Sequence, residues 1–177
     1  MSETMEIIKK RQSCRGFQNK KVEDEKIVAC INAATLAPSA CNTQPYHFYV
    51  ANTEDVVAKV AEYAKVGTIN QWTDEVPAFV IITKEHADMP AGVGIAVHTD
   101  FREFDIGLAV ENFCLAAEDM GLGTCILGGF NEEKLKESLR LPYSKKISLI
   151  LAVGYPSDTT VRNKKRRDLM DTITYLK

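Results

Sequence analysis

Apolar residues recur at helical spacing in several stretches and in short β-branched runs in others, so helices and strands mix along the whole chain. Met5–Gln12 predicts a short helix with Met5 and Ile8 on its apolar side, broken over residues 13–17. Glu23–Leu36 predicts a stronger one. Ile27, Val28, Ile31 and Ala34 recur three and four positions apart, and Glu23, Asp24 and Glu25 complement the dipole of its first turn. Tyr46–Ala51 predicts a strand. Asn52 or Thr53 is placed to cap a following helix whose stripe is Val56, Val57, Val60, Ala61 and Ala64. Phe79–Thr83 and Ile147–Gly154 are unbroken apolar runs, as expected of strands covered on both faces. Phe101–Met120 predicts the longest helix, apolar around most of its circumference and therefore in the core or at a subunit interface, with Gly121 as its left-handed terminator. Thr124–Leu127 predicts a strand, Asn131–Leu139 a capped helix, and Thr172–Leu176 an edge or pairing strand. The segment around Pro90, Gly92 and Gly94 is the least regular.

The 177 residues form neither an internal repeat nor a visible linker, which predicts a single α/β or α+β domain spanning residues 1–177. With 45% hydrophobic and 26% charged residues, the composition is that of a folded globular chain. It contains neither an apolar run of membrane-spanning length nor the charged-then-apolar start of a signal peptide, so no membrane association and a cytoplasmic location are expected. Five cysteines without a C-x-x-C pair read as free thiols in a reducing compartment. His47, His86 and His98 have no ligand spacing, so no metal site is expected. The net charge of −2 conceals a basic cluster at Arg162, Lys164, Lys165, Arg166 and Arg167. Nucleic-acid surfaces spread positive charge over a face with interleaved aromatics; one short run scales better to a single phosphate.

Three further segments hold candidate chemistry. In Ala37-Pro38-Ser39-Ala40-Cys41-Asn42-Thr43-Gln44-Pro45-Tyr46 two prolines force an irregular backbone. Ser39, Asn42 and Gln44 there offer donors and acceptors suited to the edge of a flat heterocycle; a polar connector satisfying its own backbone is the other reading. In Arg11-Gln12-Ser13-Cys14-Arg15 an extended chain puts Arg11, Ser13 and Arg15 on one side, where rigid guanidinium forks suit phosphate oxygens or carbonyl edges; two solvated arginines at a helix end are the alternative. Gly121-Leu122-Gly123-Thr124-Cys125-Ile126-Leu127-Gly128-Gly129-Phe130 lacks the spacing of a dinucleotide fingerprint. Its Gly128 and Gly129 either let a flat ligand approach the backbone or serve as simple turns.

In their order and spacing these segments match one pattern. Arg-x-Ser-x-Arg, Ala-Pro-Ser-x-x-Asn-x-Gln-Pro-aromatic, Gly-Leu-Gly-Thr-Cys-x-x-Gly-Gly-Phe after a long helix, and a closing Lys-x-Arg resemble the FMN-dependent nitroreductase family over almost the whole chain. The resemblance implies an α+β fold, a central mostly antiparallel sheet flanked by helices, and an intertwined homodimer with FMN at the subunit interface. It implies that Arg11, Ser13 and Arg15 hold the flavin, with Lys164 and Arg166 at its phosphate and Asn70 at its ring. Pro38, Ser39 and Asn42 would come from the partner, and Ile126, Gly128 and Gly129 would pass over a ring face or edge. Arg15 is the candidate for a positive charge near the flavin N1–C2 edge. The implied activity is ping-pong hydride transfer from NADH or NADPH through FMN to nitroaromatics, quinones or similar acceptors. The flavin carries the chemistry, and no catalytic side chain is assigned. A flavin-storage protein without turnover, or a specialised reduced-flavin enzyme of the same fold, is the alternative. Thr73 stands where some members carry lysine and Gly128 where some carry an acid, and the stretch between Thr83 and Phe101 lacks the insertion of larger members.

Overall fold

Strand Ala78–Lys84 is buried along almost its whole length, and the reason lies in what covers it. The structure, a computed structural model, describes residues 2–88 and 99–176. Within them the strands β1 (Tyr46–Ala51), β2 (Ala78–Lys84), β3 (Gly123–Leu127) and β4 (Lys146–Gly154) form one antiparallel sheet in the order β1-β2-β4-β3. Successive side chains of a strand face opposite sides. Val80, Ile82, Leu151 and Val153 therefore pack with helices α2 (Asp24–Thr35) and α4 (Arg102–Asp119), in a cluster that includes Ile27, Ile106 and Phe113. Phe79, Ile81, Ile150 and Ala152 pack on the other face with α3 (Glu54–Ala64) and α5 (Glu132–Leu139), through Val60, Ala61 and Leu135. Both faces of β2 and β4 are thus apolar, which is why neither strand alternates in sequence.

Helix α1 (Glu3–Lys10) begins and ends two residues earlier than its sequence pattern predicts and buries no residue. Acidic Glu3 and Glu6 and basic Lys9 and Lys10 complement its dipole. Its early end releases Arg11 into extended backbone (φ −48°, ψ 128°). Thr53 occupies the N-cap of α3 without a side-chain cap, and Asn52 instead donates to Asp24 Oδ1 at 2.8 Å. Asn131 does cap α5, accepting from Lys134 N at 3.1 Å. At the end of α4, Gly121 (φ +75°) closes the turn, with its N–H donating to Glu118 O and that of Leu122 to Ala117 O.

The expected strand over Thr172–Leu176 is not present. Leu169–Thr172 form a single 3-10 turn and the following residues are exposed, because among the described residues no strand lies beside them. The expectations for Pro90, Gly92, Gly94 and His98 lie outside the described residues. All five cysteines are free thiols. Among the described residues no helix is long and apolar enough to cross a membrane, and no group of His, Cys, Asp and Glu is placed to hold a metal ion.

Candidate functional site

Past the end of α1 the chain lies alongside β3. Ser13 pairs with Thr124 in a parallel bridge and Cys14 N donates to Thr124 O at 2.8 Å, so residues 11–15 act as a short extra strand. The approach is close because residue 123 is glycine: a Cβ there would stand 2.7 Å from Cys14 Cβ. Residues 160–166 return along the outer side of this strand. Together the two segments enclose a cavity of 330 Å³ lined by Arg11, Gln12, Ser13, Arg15, Arg162, Asn163, Lys164 and Arg166. Of the residues singled out in the sequence, Arg11, Ser13, Arg15, Lys164 and Arg166 come together here from opposite ends of the chain.

Arg162, a member of the basic run noted in the sequence, also lines the cavity, together with Gln12 and Asn163, which the sequence did not single out. Gln12 Oε1 accepts from Arg162 N and Nε, both at 3.1 Å, while its Nε2 donates to Thr160 O at 2.9 Å. Arg162 Nη2 donates to Ser13 O at 2.6 Å. Lys164 Nζ donates to Arg11 O at 2.5 Å and to Lys9 O, the carbonyls left over at the end of α1. Lys164 therefore holds the backbone that carries Arg11, with one N–H left for a ligand. Arg11 Nε lies 3.1 Å from Glu111 Oε1 of α4, an ion pair that orients its guanidinium. Five cations and no carboxylate line this space. Burial, followed by the charges of Arg11 and Arg166, lowers the Lys164 pKa from its ordinary value. A bound anion would relieve that repulsion.

A second group gathers beyond β3. Asn70 sits in the left-handed region (φ 61°, ψ 30°), where its Nδ2 donates to Ala64 O at 3.0 Å and Gly129 O at 3.2 Å. Both partners are carbonyls, so the amide nitrogen must face them and Oδ1 is left to accept. Thr73 is buried and its hydroxyl, placed between Asn70 O and Ala61 O, supports this turn, so it performs a structural task. Ile126 is 41% exposed, and space is open where side chains at Gly128 and Gly129 would stand. A flat ligand can therefore lie against this backbone.

Pro38, Ser39 and Asn42 do not line the basic cavity. They lie in the loop after α2, where Cys41 (φ 52°), Asn42 (φ 56°) and Gln44 (φ 45°) all adopt left-handed backbone without being glycine. Ser39 Oγ accepts from Gln44 N at 3.0 Å, and Gln44 Nε2 donates to Asn42 O at 3.1 Å. The connector reading thus describes part of the loop's bonding, but it leaves the cluster of unfavourable φ values without a purpose.

The model of the Nitroreductase family matches residues 8–155. The chain belongs to the Nitroreductase family. Among its relatives is a protein of Archaeoglobus fulgidus named as an NADH dehydrogenase/NAD(P)H nitroreductase, 30% identical over 89% of this chain and 88% of that protein. Iodotyrosine deiodinase 1 of Sus scrofa is 29% identical over 94% of this chain, which spans 66% of that protein's length. A nitroreductase from Exiguobacterium sibiricum, solved in complex with FMN, has the same fold, with a TM-score of 0.82, 22% identity and coverage of 99% of this chain and 98% of that one. Membership of this family makes the chain an oxidoreductase with an α+β nitroreductase fold.

Proposed function

We propose that the chain is an FMN-dependent NAD(P)H oxidoreductase working by a ping-pong cycle as a homodimer. The observation that carries this reading is the 330 Å³ cavity beside β3, in which Arg11, Arg15, Arg162, Lys164 and Arg166 converge with no opposing carboxylate in the lining. A phosphate monoester carries about two negative charges and several strong acceptor oxygens at neutral pH, which suits this lining. Arg11 and Arg166 would grip the phosphate, Lys164 would contribute its remaining N–H, and Ser13 its hydroxyl. Arg15 would bring positive charge to the carbonyl edge of the pyrimidine ring. Asn70, with both amide hydrogens already donated, would only accept from the ring. Ile126, Gly128 and Gly129 would lie along one ring face or edge.

When bound, FMN would supply the two-electron chemistry between NADH or NADPH and a nitroaromatic, quinone or similar acceptor. The side chains bind and orient; none is assigned as an acid or base. Ser39 and Asn42 lie away from the basic cavity, and α4 exposes Phe104 (65%) and Leu108 (48%). Both observations support a second copy that covers the apolar helix face and brings its own loop to the ring. Titration with FMN and with riboflavin tests the site. FMN should bind far more tightly than riboflavin, and R166A should weaken FMN about tenfold or more, the value of one charge-assisted contact, with riboflavin unaffected. Equal affinity for the two flavins would refute the phosphate assignment. NAD(P)H consumption with added acceptors separates an enzyme from a storage protein.

A further inference from the structure

Asp105 lies in the first turn of α4 and is only 5% exposed, among the apolar residues that join α2 to the sheet. Its Oδ1 accepts from Ala40 N at 3.1 Å, across 65 positions of sequence, and so ties the Pro-bracketed loop to the core. Its Oδ2 is buried without a donor among the described residues, as are the hydroxyls of Thr43 and Tyr46 at the loop's far end. Burial, and after it the Asp105 charge, raises the Tyr46 phenol pKa, which places the phenol in the field of the same carboxylate. A half-satisfied buried carboxylate is unfavourable for folding, and an apolar residue in this environment would avoid that penalty. What the carboxylate provides is a fixed point for a loop whose backbone does not rest in favoured regions at Cys41, Asn42 and Gln44.

We propose that Asp105 is a positioning residue for the flavin site: by clamping Ala40 it holds Ser39 and Asn42, on either side of that residue, in the orientation in which they meet the ring. The inference rests on the flavin reading above and adds a residue to it. Because the loop serves the ring and not the phosphate, loss of the clamp should weaken FMN and riboflavin by the same factor, unlike R166A.

The test is titration of the purified protein with both flavins, with the midpoint potential of bound FMN as a second readout. Asp105→Ala should raise both Kd values about tenfold, the usual worth of a hydrogen bond to a charged group, and should shift the potential because the ring loses fixed polar neighbours. Asp105→Asn keeps an acceptor for Ala40 N and should restore both Kd values to within about threefold of wild type. Wild-type Kd values and potential in D105A, a loss confined to FMN, or a D105N variant as weak as D105A would each overturn the clamp. If D105A does not fold, D105N decides alone: near-wild-type affinity and potential support the clamp, and a tenfold loss refutes it. Wild-type protein that takes up neither flavin would instead refute the reading on which this rests.

Discussion

Replacing Gly123 by alanine should loosen the flavin site without touching any residue that contacts the ligand. The new methyl carbon would stand 2.7 Å from Cys14 Cβ, 2.8 Å from Cys14 Sγ and 3.5 Å from Pro156 Cβ. Non-bonded carbons settle at about 3.5–4.0 Å, so Cys14 must retreat by about 1 Å. It is poorly able to do so, because Cys14 N is bonded to Thr124 O at 2.8 Å and Sγ to Gly16 O at 3.1 Å. The strain therefore opens the junction between residues 11–15 and β3. Overpacking of this kind costs about 1–3 kcal/mol. Ser13 and Arg15 flank Cys14 and must move with it, and a shift of about 1 Å in binding groups is large enough to lower FMN affinity about tenfold or more. Urea unfolding of the apoprotein and FMN titration read the two effects. Adding Cys14→Gly removes both atoms in conflict and should recover most of the flavin affinity. A G123A protein with wild-type unfolding midpoint and FMN affinity, or a double variant no better than G123A, would refute the packing argument.

Phe104→Glu should place a charge on the exposed apolar face of α4, turn the proposed dimer into monomer in sedimentation, and release FMN in parallel; a monomer that keeps FMN would separate the two events. Glu132, at the start of α5, accepts from Ile147 N at 3.0 Å and pairs with Lys136 and Lys146. Burial alone would raise its pKa, but these partners prevail and lower it to about 2. Its ion pairs therefore stabilise the fold fully above the ordinary carboxylate value and lose that effect as pH falls through about 2. After solvent screening E132Q should cost about 1–2 kcal/mol at neutral pH, and the difference should shrink below pH 4.5; a gap independent of pH would contradict the assignment. Burial pushes the Cys30 and Cys114 thiols up to about 12 and about 11, whereas Cys41 is exposed. In the monomeric apoprotein a thiol reagent at neutral pH should accordingly label Cys41 first and leave Cys30 and Cys114 unmodified until the protein unfolds; early loss of either would show the core to be open.

Local pattern revealed most of the fold. Tyr46–Ala51 matches its strand residue for residue, and the apolar run at Phe79 was readable because both faces of that strand are covered. The tail forms no strand within the chain, because alternation at Thr172–Leu176 records a capacity to pair and, among the described residues, no strand lies beside it. At the site, alternate placement of Arg11, Ser13 and Arg15 followed from extended backbone alone. The same alternation directed attention away from Gln12, whose amide in fact fastens the C-terminal segment to the strand. Asp105 was invisible for a different reason. Its partner is a backbone N–H distant in sequence, and no side-chain spacing records such a bond. The left-handed residues Cys41, Asn42 and Gln44 were equally hidden, since none is glycine.

The most direct test is the anaerobic visible spectrum of the FMN-loaded protein, recorded before and after addition of NADH and then NADPH. At least one of the two should bleach the flavin band, and a nitroaromatic or quinone should restore it. A protein that cannot be loaded with FMN, or whose bound flavin keeps its colour with both reductants, would contradict the assignment.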